Sequence, residues 1–309
     1  LTEKIQGAEV VAVSDVFEES ARKAAEICGA KVYADSKELI NAENVDAVFI
    51  VSPGFAHVDS LLQAIEAGKR IFCEKPLCTT AEDCLKVVKA EEAAGKHLIQ
   101  LGFMRRYDKG YQQIKEALAT GEYGEPLILH CTHRNPEVGT NYNTPMAVHD
   151  TAIHEIDVLH WLVDDEYESA QVVMPKVTKY SHSELKDPQI MMLRTKKGVC
   201  IDVEVFVNCK FGYDINCEVV CEDGALKMAQ PAYPSIRKNA AVSTAIDTDC
   251  FVRFKDAYDK EVQDYVMSFP KSVTFMEKLE DFMEFMIPLY IEEGKISLTI
   301  AIGCTGGKH

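Results

Sequence analysis

Short apolar runs alternate with helical patterns through residues 1–102, and this alternation limits the possible folds of the chain most narrowly. The runs predict strands over 9–14, 46–51, 70–74 and 97–103, with helices over 18–28, 58–66 and 80–94 between them. The strands are apolar along their whole length rather than at every second position, which is typical of strands buried on both faces. The sequence therefore predicts an α/β fold with a doubly wound parallel sheet.

An acidic residue, Asp15, follows the first predicted strand. In dinucleotide-binding folds an acidic side chain at a strand end accepts hydrogen bonds from the adenosine ribose hydroxyls. Its negative charge would repel a 2′-phosphate, so Asp15 predicts NAD as the cofactor rather than NADP. The alternative is a structural role, in which Asp15 caps the helix predicted over 18–28.

A glycine-rich turn of the form G-x-G-x-x-G is expected roughly 20 residues before such an acidic residue. None of the 17 glycines supplies that turn in the right context. Residues 1–4 predict the end of the helix that follows it. We therefore expect the first strand and the phosphate-binding loop to lie upstream of Leu1.

The pattern changes from Pro126 onward. Strands are predicted over 127–132, 170–174, 189–195, 199–207, 213–221 and 225–228, with a helix over 146–162. The later strands alternate polar and apolar residues, and the pairs Lys197-Gly198 and Asp223-Gly224 predict turns between them. This pattern predicts a mostly antiparallel sheet with one face open to water or to a partner.

Three side chains of the predicted helix share one face, because Asp150, His154 and Asp157 follow the spacing i, i+4, i+7. Lys75 follows the strand predicted over 70–74. Lysine, histidine and aspartate together can take a proton from an alcohol and pass it to water. Taken separately, the helix face could be a solvated surface and Lys75 a surface lysine at the end of a strand. Their combination in this organisation favours a catalytic site.

Composition excludes several classes of function. A net charge of −16 disfavours nucleic acid and anionic membrane surfaces, since both are bound by basic residues. No apolar run approaches the ~18 to 20 residues of a membrane span. The eleven cysteines include no C-x-x-C pair, so no metal is expected. We interpret them as reduced thiols of a cytoplasmic protein.

The chain resembles the glucose–fructose oxidoreductase/inositol dehydrogenase/MocA (Gfo/Idh/MocA) family, and within it the inositol branch. The resemblance rests on FCEKPL at 72–77, GFMRRYD at 102–108, HCTHRNP at 130–136, the segment 150–161, and VNCKFGYD at 207–214. It extends from about residue 5 to residue 267.

The resemblance implies a Rossmann domain over 1–104 and a substrate-binding and oligomerisation domain over 105–309. The open sheet of the second domain would form the interface of a homotetramer. The implied activity is NAD-dependent oxidation of myo-inositol at the C2 hydroxyl to 2-keto-myo-inositol. Two alternatives stay open: a dehydrogenase of another cyclic polyol or an aldose, and a non-catalytic relative that senses sugar or NAD.

The resemblance also implies roles for individual residues, carried over position by position. The catalytic residues would be Lys75, Asp150 and His154. The polyol would be bound by Arg105, His133, Asn135, Asp157 and Tyr213. The cofactor would contact Ser52, His57, Glu74, Lys75 and Met104, in addition to Asp15.

The chemistry of these residue types suits that assignment. His154 is the expected base, because a histidine pKa of ~6.5 suits neutral pH. We expect Asp150 to orient the imidazole ring, and Lys75 to stabilise the developing alkoxide.

Two segments depart from the family pattern. Asp249-Cys250 stands where relatives commonly have Asp-Trp, and the likeness ends at about residue 268. A helical stripe follows at Phe282, Phe285, Met286 and Leu289. This tail either packs as the last helix of the family does or is unrelated sequence.

Overall fold

A computed structural model describes residues 5–231, 233–270 and 273–274. The predicted helix end at 1–4 and the helical stripe at Phe282–Leu289 lie outside the described residues. The chain divides into two compact units. One comprises the described residues up to Asp46 and from Asp259 onward, and the other is Ala47–Tyr258.

The first unit contains a small parallel sheet of two strands, β1 and β2. Its elements before Asp46 are β1 (Ala12–Val13), α1 (Glu18–Cys28), β2 (Lys31–Val32) and α2 (Ser36–Ile40). Gly29 ends α1 in a left-handed conformation, as expected for a C-terminal glycine.

The second unit begins with a three-stranded parallel sheet in the order β3-β4-β5. Its elements are β3 (Ala47–Ile50), α3 (His57–Glu66), β4 (Arg70–Glu74), α4 (Ala81–Ala94) and β5 (Ile99–Gly102). Thr80 caps α4, since its hydroxyl accepts a hydrogen bond from the Asp83 amide.

A six-stranded sheet follows in the same unit, in the order β11-β10-β6-β9-β8-β7. Its strands are β6 (Pro126–Arg134), β7 (Tyr167–Val173), β8 (Gln189–Thr195), β9 (Cys200–Phe206), β10 (Asp214–Cys221) and β11 (Ala225–Lys227). Only β6 and β9 pair in parallel within this sheet, so the predicted mostly antiparallel sheet is confirmed.

The core of this unit lies between one face of the six-stranded sheet and two helices. These are α5 (Lys109–Ala119) and α6 (Ile153–Val163). Buried side chains alternate with outward-facing ones along β8, β9 and β10. The outward face keeps exposed apolar residues, among them Ile128 and Met192.

The remaining described elements are two short strands and two helices: β12 (Ile236–Lys238), β13 (Ala241–Ser243), α7 (Cys250–Arg253) and α8 (Lys255–Met267). Within the described ranges, no helix combines the length and the apolarity needed to cross a membrane.

Several predictions of local structure were wrong. The strand predicted as buried over 9–14 is limited to Ala12–Val13 and is only half-buried, because β2 is the one strand paired with it among the described residues. Strand β2 and helices α2 and α5 were not predicted. A signal for α5 existed: Asp108 caps it, and Tyr111 and Ile114 bury one face.

The helix predicted over 146–162 is also not a single α-helix. Residues Ala147–Ala152 form a π-helical turn, and α6 begins at Ile153. A π turn bonds i to i+5 instead of i+4, so it changes the direction of side chains on either side of it. Such turns occur frequently at functional sites.

The boundary predicted between residues 104 and 105 does not coincide with the division into units, because Ala47–Tyr258 contains both β3–β5 and the six-stranded sheet. The division into two functional domains stays a prediction.

Candidate active site

Titratable side chains from four elements of the Ala47–Tyr258 unit meet in one region, here called the polar cluster. They come from the end of β4, the 3₁₀ turn Met104–Tyr107, strand β6 and the π turn with the start of α6. The members of the cluster are Lys75, Arg105, His133, Asp150, His154 and Glu155.

Lys75 and Asp150 form the exposed part of the cluster. The Lys75 ammonium donates to the Asp150 carboxylate oxygen Oδ1 at 2.8 Å and to the Asp150 carbonyl oxygen at 2.8 Å. The side chains are 21% and 38% exposed. A ligand can therefore reach a lysine whose position is already fixed by two hydrogen bonds.

His154 lies beside this pair and is 7% exposed. Its ring packs at an edge against Phe103, and its centroid is 6.3 Å from that of His133. Burial lowers the pKa of His154 well below its usual value, and the nearby cations Arg105 and Lys75 lower it further. The imidazole is therefore neutral at physiological pH and available to accept a proton.

The expected bond from Asp150 to the His154 ring is not what the structure shows. The Asp150 carboxylate accepts from Lys75, while His154 Nδ1 is buried without a partner among the described residues. The π turn ends between the two residues, so the α-helical spacing that placed them on one face does not apply.

An ion network lies beneath these groups, with Arg105 and Glu155 each 1% exposed. Arg105 donates to Glu155 through Nη1, and the second Glu155 oxygen is 2.8 Å from His133 Nδ1. Burial alone would raise the pKa of Glu155, but Arg105 and His133 hold it below its usual value. Burial lowers the pKa of His133. Glu155 raises it, whereas the cations Arg105 and Lys75 lower it further, and the net shift is downward.

Glu155 was not predicted as a site residue. A signal was available, because Glu155 shares its helix stripe with the buried residues Val158, Leu159 and Leu162. A carboxylate in an apolar stripe is rarely buried unless a cation pairs with it.

The other predicted polyol contacts differ in burial and in the partners they already have. Tyr213 is buried with its ring edge against His133, and burial raises its pKa to about 12. Asp157 accepts from Arg106 through both carboxylate oxygens, so it already has a charged partner. The Asn135 backbone bonds to Phe206 and Cys209 at the end of β6.

The predicted cofactor wall is only partly at the surface. Ser52 is exposed, and Glu74 is half-buried with its pKa raised by burial. His57 is fully buried, its ring nitrogens 2.6 Å from the Ser52 carbonyl oxygen and 2.9 Å from that of Pro76. Met104 is also buried. His57 and Met104 are therefore both buried, and their contact with a cofactor stays a prediction.

Asp15 lies in the other unit, exposed, two residues after β1. One carboxylate oxygen accepts from the Phe17 amide at 2.7 Å, but Phe17 itself is the N-cap of α1. A cavity of about 480 Å³ is bordered by Asp15, Arg22 and Tyr33, which is in the range of small-ligand sites. An acidic group beside such a cavity fits a nucleoside ribose.

Within the described part of the chain, no group of three or more His, Cys, Asp or Glu side chains is arranged to hold a metal ion. The polar cluster instead offers a neutral imidazole, a fixed ammonium and hydrogen-bonding groups. Such a set can remove a proton from a hydroxyl group and stabilise negative charge on its oxygen.

Two family models of one superfamily match most of the chain. The oxidoreductase family with an NAD-binding Rossmann fold (GFO_IDH_MocA) matches residues 1–103, and the GFO/IDH/MocA C-terminal domain matches residues 111–227. A third model, the RapZ C-terminal domain, matches residues 248–309. That third match supports the second interpretation of the tail, as sequence unlike the rest of the family.

Curated relatives are similar over most of their length. The inositol 2-dehydrogenase/D-chiro-inositol 3-dehydrogenase of Halalkalibacterium halodurans is 52% identical over 271 residues, covering 87% of this chain and 78% of the relative. The inositol 2-dehydrogenase of Pseudomonas syringae pv. syringae is 53% identical over 262 residues, covering 84% and 78%.

A solved structure agrees with this result. The myo-inositol dehydrogenase of Lactobacillus casei, in complex with NAD(H) and myo-inositol, has a TM-score of 0.85 and 44% identity, covering 88% of this chain and 81% of that one. The predicted resemblance and the predicted fold class are thereby confirmed. This chain belongs to the GFO/IDH/MocA family of NAD-binding oxidoreductases.

Proposed function

We propose that this chain oxidises myo-inositol at the C2 hydroxyl to 2-keto-myo-inositol, with NAD as the hydride acceptor. The observation that carries the proposal is the fixed Lys75–Asp150 pair beside a neutral His154. The names of the relatives from H. halodurans and P. syringae support inositol as the substrate class.

Oxidation of a secondary alcohol removes a hydride from carbon and a proton from oxygen, and leaves a ketone. Bound NAD would supply the hydride acceptor. Lys75 would donate a hydrogen bond to the reacting oxygen and stabilise its negative charge. His154 would accept the proton, and Nε2 is the nitrogen left for substrate because Nδ1 is enclosed.

The depressed pKa of His154 makes it a weaker base, but it also keeps the ring unprotonated. Lys75 compensates for the lower basicity of His154, because an ammonium beside the alcohol oxygen favours deprotonation of the alcohol. Asp150 would hold Lys75 in place through both of its acceptors.

We propose that Asp15 accepts hydrogen bonds from the adenosine ribose of NAD. Within the Ala47–Tyr258 unit, we propose Ser52, Glu74 and Lys75 as cofactor contacts. His57 and Met104, both buried, complete this proposed set. The polyol would be bound by Arg105, His133, Asn135, Asp157 and Tyr213, whose varied donors and acceptors suit a ring of hydroxyl groups.

We also propose that the chain forms a homotetramer through the outward face of the six-stranded sheet. The described helices α5 and α6 cover only the inner face, and Ile128, Val173 and Met192 are exposed on the outward face of β6, β7 and β8. A cytoplasmic location stays a prediction from the cysteine content.

The catalytic assignment is tested by Lys75→Ala, Asp150→Asn and His154→Ala. Each should lower kcat by roughly 10²-fold or more, and their losses should not add because the groups act together. The matched control is His160→Ala, an exposed histidine of the same helix, which should retain turnover. Near-normal turnover in the His154 variant would show that the base is wrongly assigned.

A second candidate substrate has specific support, because the H. halodurans relative is also named a D-chiro-inositol 3-dehydrogenase. The assay should therefore compare myo-inositol, D-chiro-inositol, scyllo-inositol and glucose at equal concentration. The highest kcat/KM for glucose would favour the aldose alternative, and NAD binding without turnover of any of these would favour a sensing role.

A further inference from the structure

Glu155 has no part in the proposed chemistry, although it follows His154 directly and is as deeply buried as any charged group in the described chain. Both of its carboxylate oxygens are engaged, one by Arg105 and the other by His133. Burial strips a carboxylate of its hydration, which is costly, so a buried Glu155 needs these partners.

Two competing contacts at Nδ1 decide which nitrogen of the His133 ring carries the hydrogen. His133 Nδ1 is 2.8 Å from Glu155 Oε2 and 3.1 Å from Arg105 Nη2. A carboxylate can only accept and a guanidinium can only donate, so the hydrogen state of Nδ1 can satisfy one neighbour at a time.

Both contacts involve an ionised partner, so charge alone does not separate them. The distances do: the carboxylate contact at 2.8 Å is shorter than the guanidinium contact at 3.1 Å. Arg105 retains its ion pair with Glu155 through Nη1 in either case. The low pKa of His133 keeps the ring neutral, so it carries one hydrogen only.

We infer that Glu155 is a positioning residue that holds His133 in the tautomer with hydrogen on Nδ1 and a lone pair on Nε2. The consequence for binding rests on the proposed function, in which His133 contacts the polyol. Nε2 then accepts a hydrogen bond from a substrate hydroxyl and cannot donate one. Because Lys75 and Arg105 only donate, the site gains a neutral acceptor for hydroxyl hydrogens.

The tautomer can be read directly from the ring nitrogens of the full chain labelled with ¹⁵N-histidine. A long-range ¹H–¹⁵N spectrum distinguishes a protonated from an unprotonated ring nitrogen, and His133→Asn identifies the signal of His133 by its loss. We expect the signal to show hydrogen on Nδ1 in the absence of any substrate.

Glu155→Gln tests the cause. Arg105 can only donate, so it takes the glutamine carbonyl oxygen and leaves the amide NH2 facing His133 Nδ1. We therefore expect the hydrogen to move to Nε2 and KM for the polyol to rise about tenfold, with kcat less affected. The matched control is Glu166→Gln, which neighbours the exposed His160 and should leave both the His133 spectrum and KM unchanged.

Hydrogen on Nε2 of His133 in the unmodified chain would overturn the inference, as would an unchanged tautomer in folded Glu155→Gln. Should that variant fail to fold, the spectrum of the unmodified chain still decides the matter. Hydrogen on Nδ1 in a chain that oxidises no inositol would support the inference while refuting the proposed function.

Discussion

Removing Arg105 should destabilise the fold strongly, because it would leave a buried carboxylate without its main cation. Arg105 and Glu155 are each 1% exposed, so water cannot replace the lost partner. Breaking a buried pair on one side costs about 3–5 kcal/mol. For a unit of this size we therefore expect Arg105→Met to lower Tm on the order of 10 °C.

The loss should depend on pH in a direction fixed by the network. In the native protein the pKa of Glu155 is lowered, so its contribution is present above the unfolded pKa and is lost as pH falls through the folded pKa. Without Arg105, burial raises the pKa of Glu155, and the destabilisation grows as pH rises through that value. Protonation of His133, beside Glu155, would have the same effect: it would neutralise the unpaired carboxylate at low pH and reduce the destabilisation there.

Urea unfolding at about pH 8 and about pH 5 measures both effects. The difference between native protein and Arg105→Met should be larger at the higher pH. The double variant Arg105→Met/Glu155→Leu should recover most of the loss, since no buried charge remains. Arg194→Met is the matched control, because its pair with Glu168 is more than half exposed and should contribute about 0–1 kcal/mol. A loss for Arg105→Met as small as that of the control, or one that grows on acidification, would refute the reasoning.

Three further expectations concern cofactor, pH and assembly. Asp15→Ala should reduce the preference for NAD over NADP, measured as the ratio of kcat/KM values, and an unchanged ratio would refute the ribose role. Since the pKa of His154 lies well below 6.5, kcat/KM should stay constant as pH falls through 6.5 and decline only at lower pH; a decline centred at or above 6.5 would contradict this. Light scattering should give a tetramer that Met192→Lys weakens, and a monomeric native protein would exclude the proposed interface.

The parallel and antiparallel sheets could be predicted because periodicity reports burial directly. The strand predicted over 189–195 is Gln189–Thr195 in the structure, and the helix predicted over 18–28 is Glu18–Cys28. The short strand Lys31–Val32 could not be found in this way, since two residues carry no period.

The convergence of Lys75 with Asp150 was predictable, whereas the bond between them was not. The choice of Lys75 over His154 as the partner of Asp150 follows from a π turn, and no residue type in 147–152 marks such a turn in the sequence. Local backbone geometry of this kind is decided by tertiary packing.

Burial of polar and charged side chains was the other feature that the sequence analysis did not predict. His57 shares a helix stripe with the buried residues Leu61, Ala64 and Ile65, as Glu155 does with its own neighbours. Reading those stripes as buried would have placed both side chains beneath the site surface. Family resemblance alone assigned His57 to the cofactor wall.

The most direct test of the proposed reaction uses myo-inositol deuterated at C2, incubated with NAD and the full chain. If the C2 hydride is transferred while His154 takes the hydroxyl proton, the reduced cofactor carries the deuterium, and His154→Ala suppresses its formation roughly 10²-fold or more. Reduced cofactor without deuterium, or none at all from myo-inositol, would contradict the account.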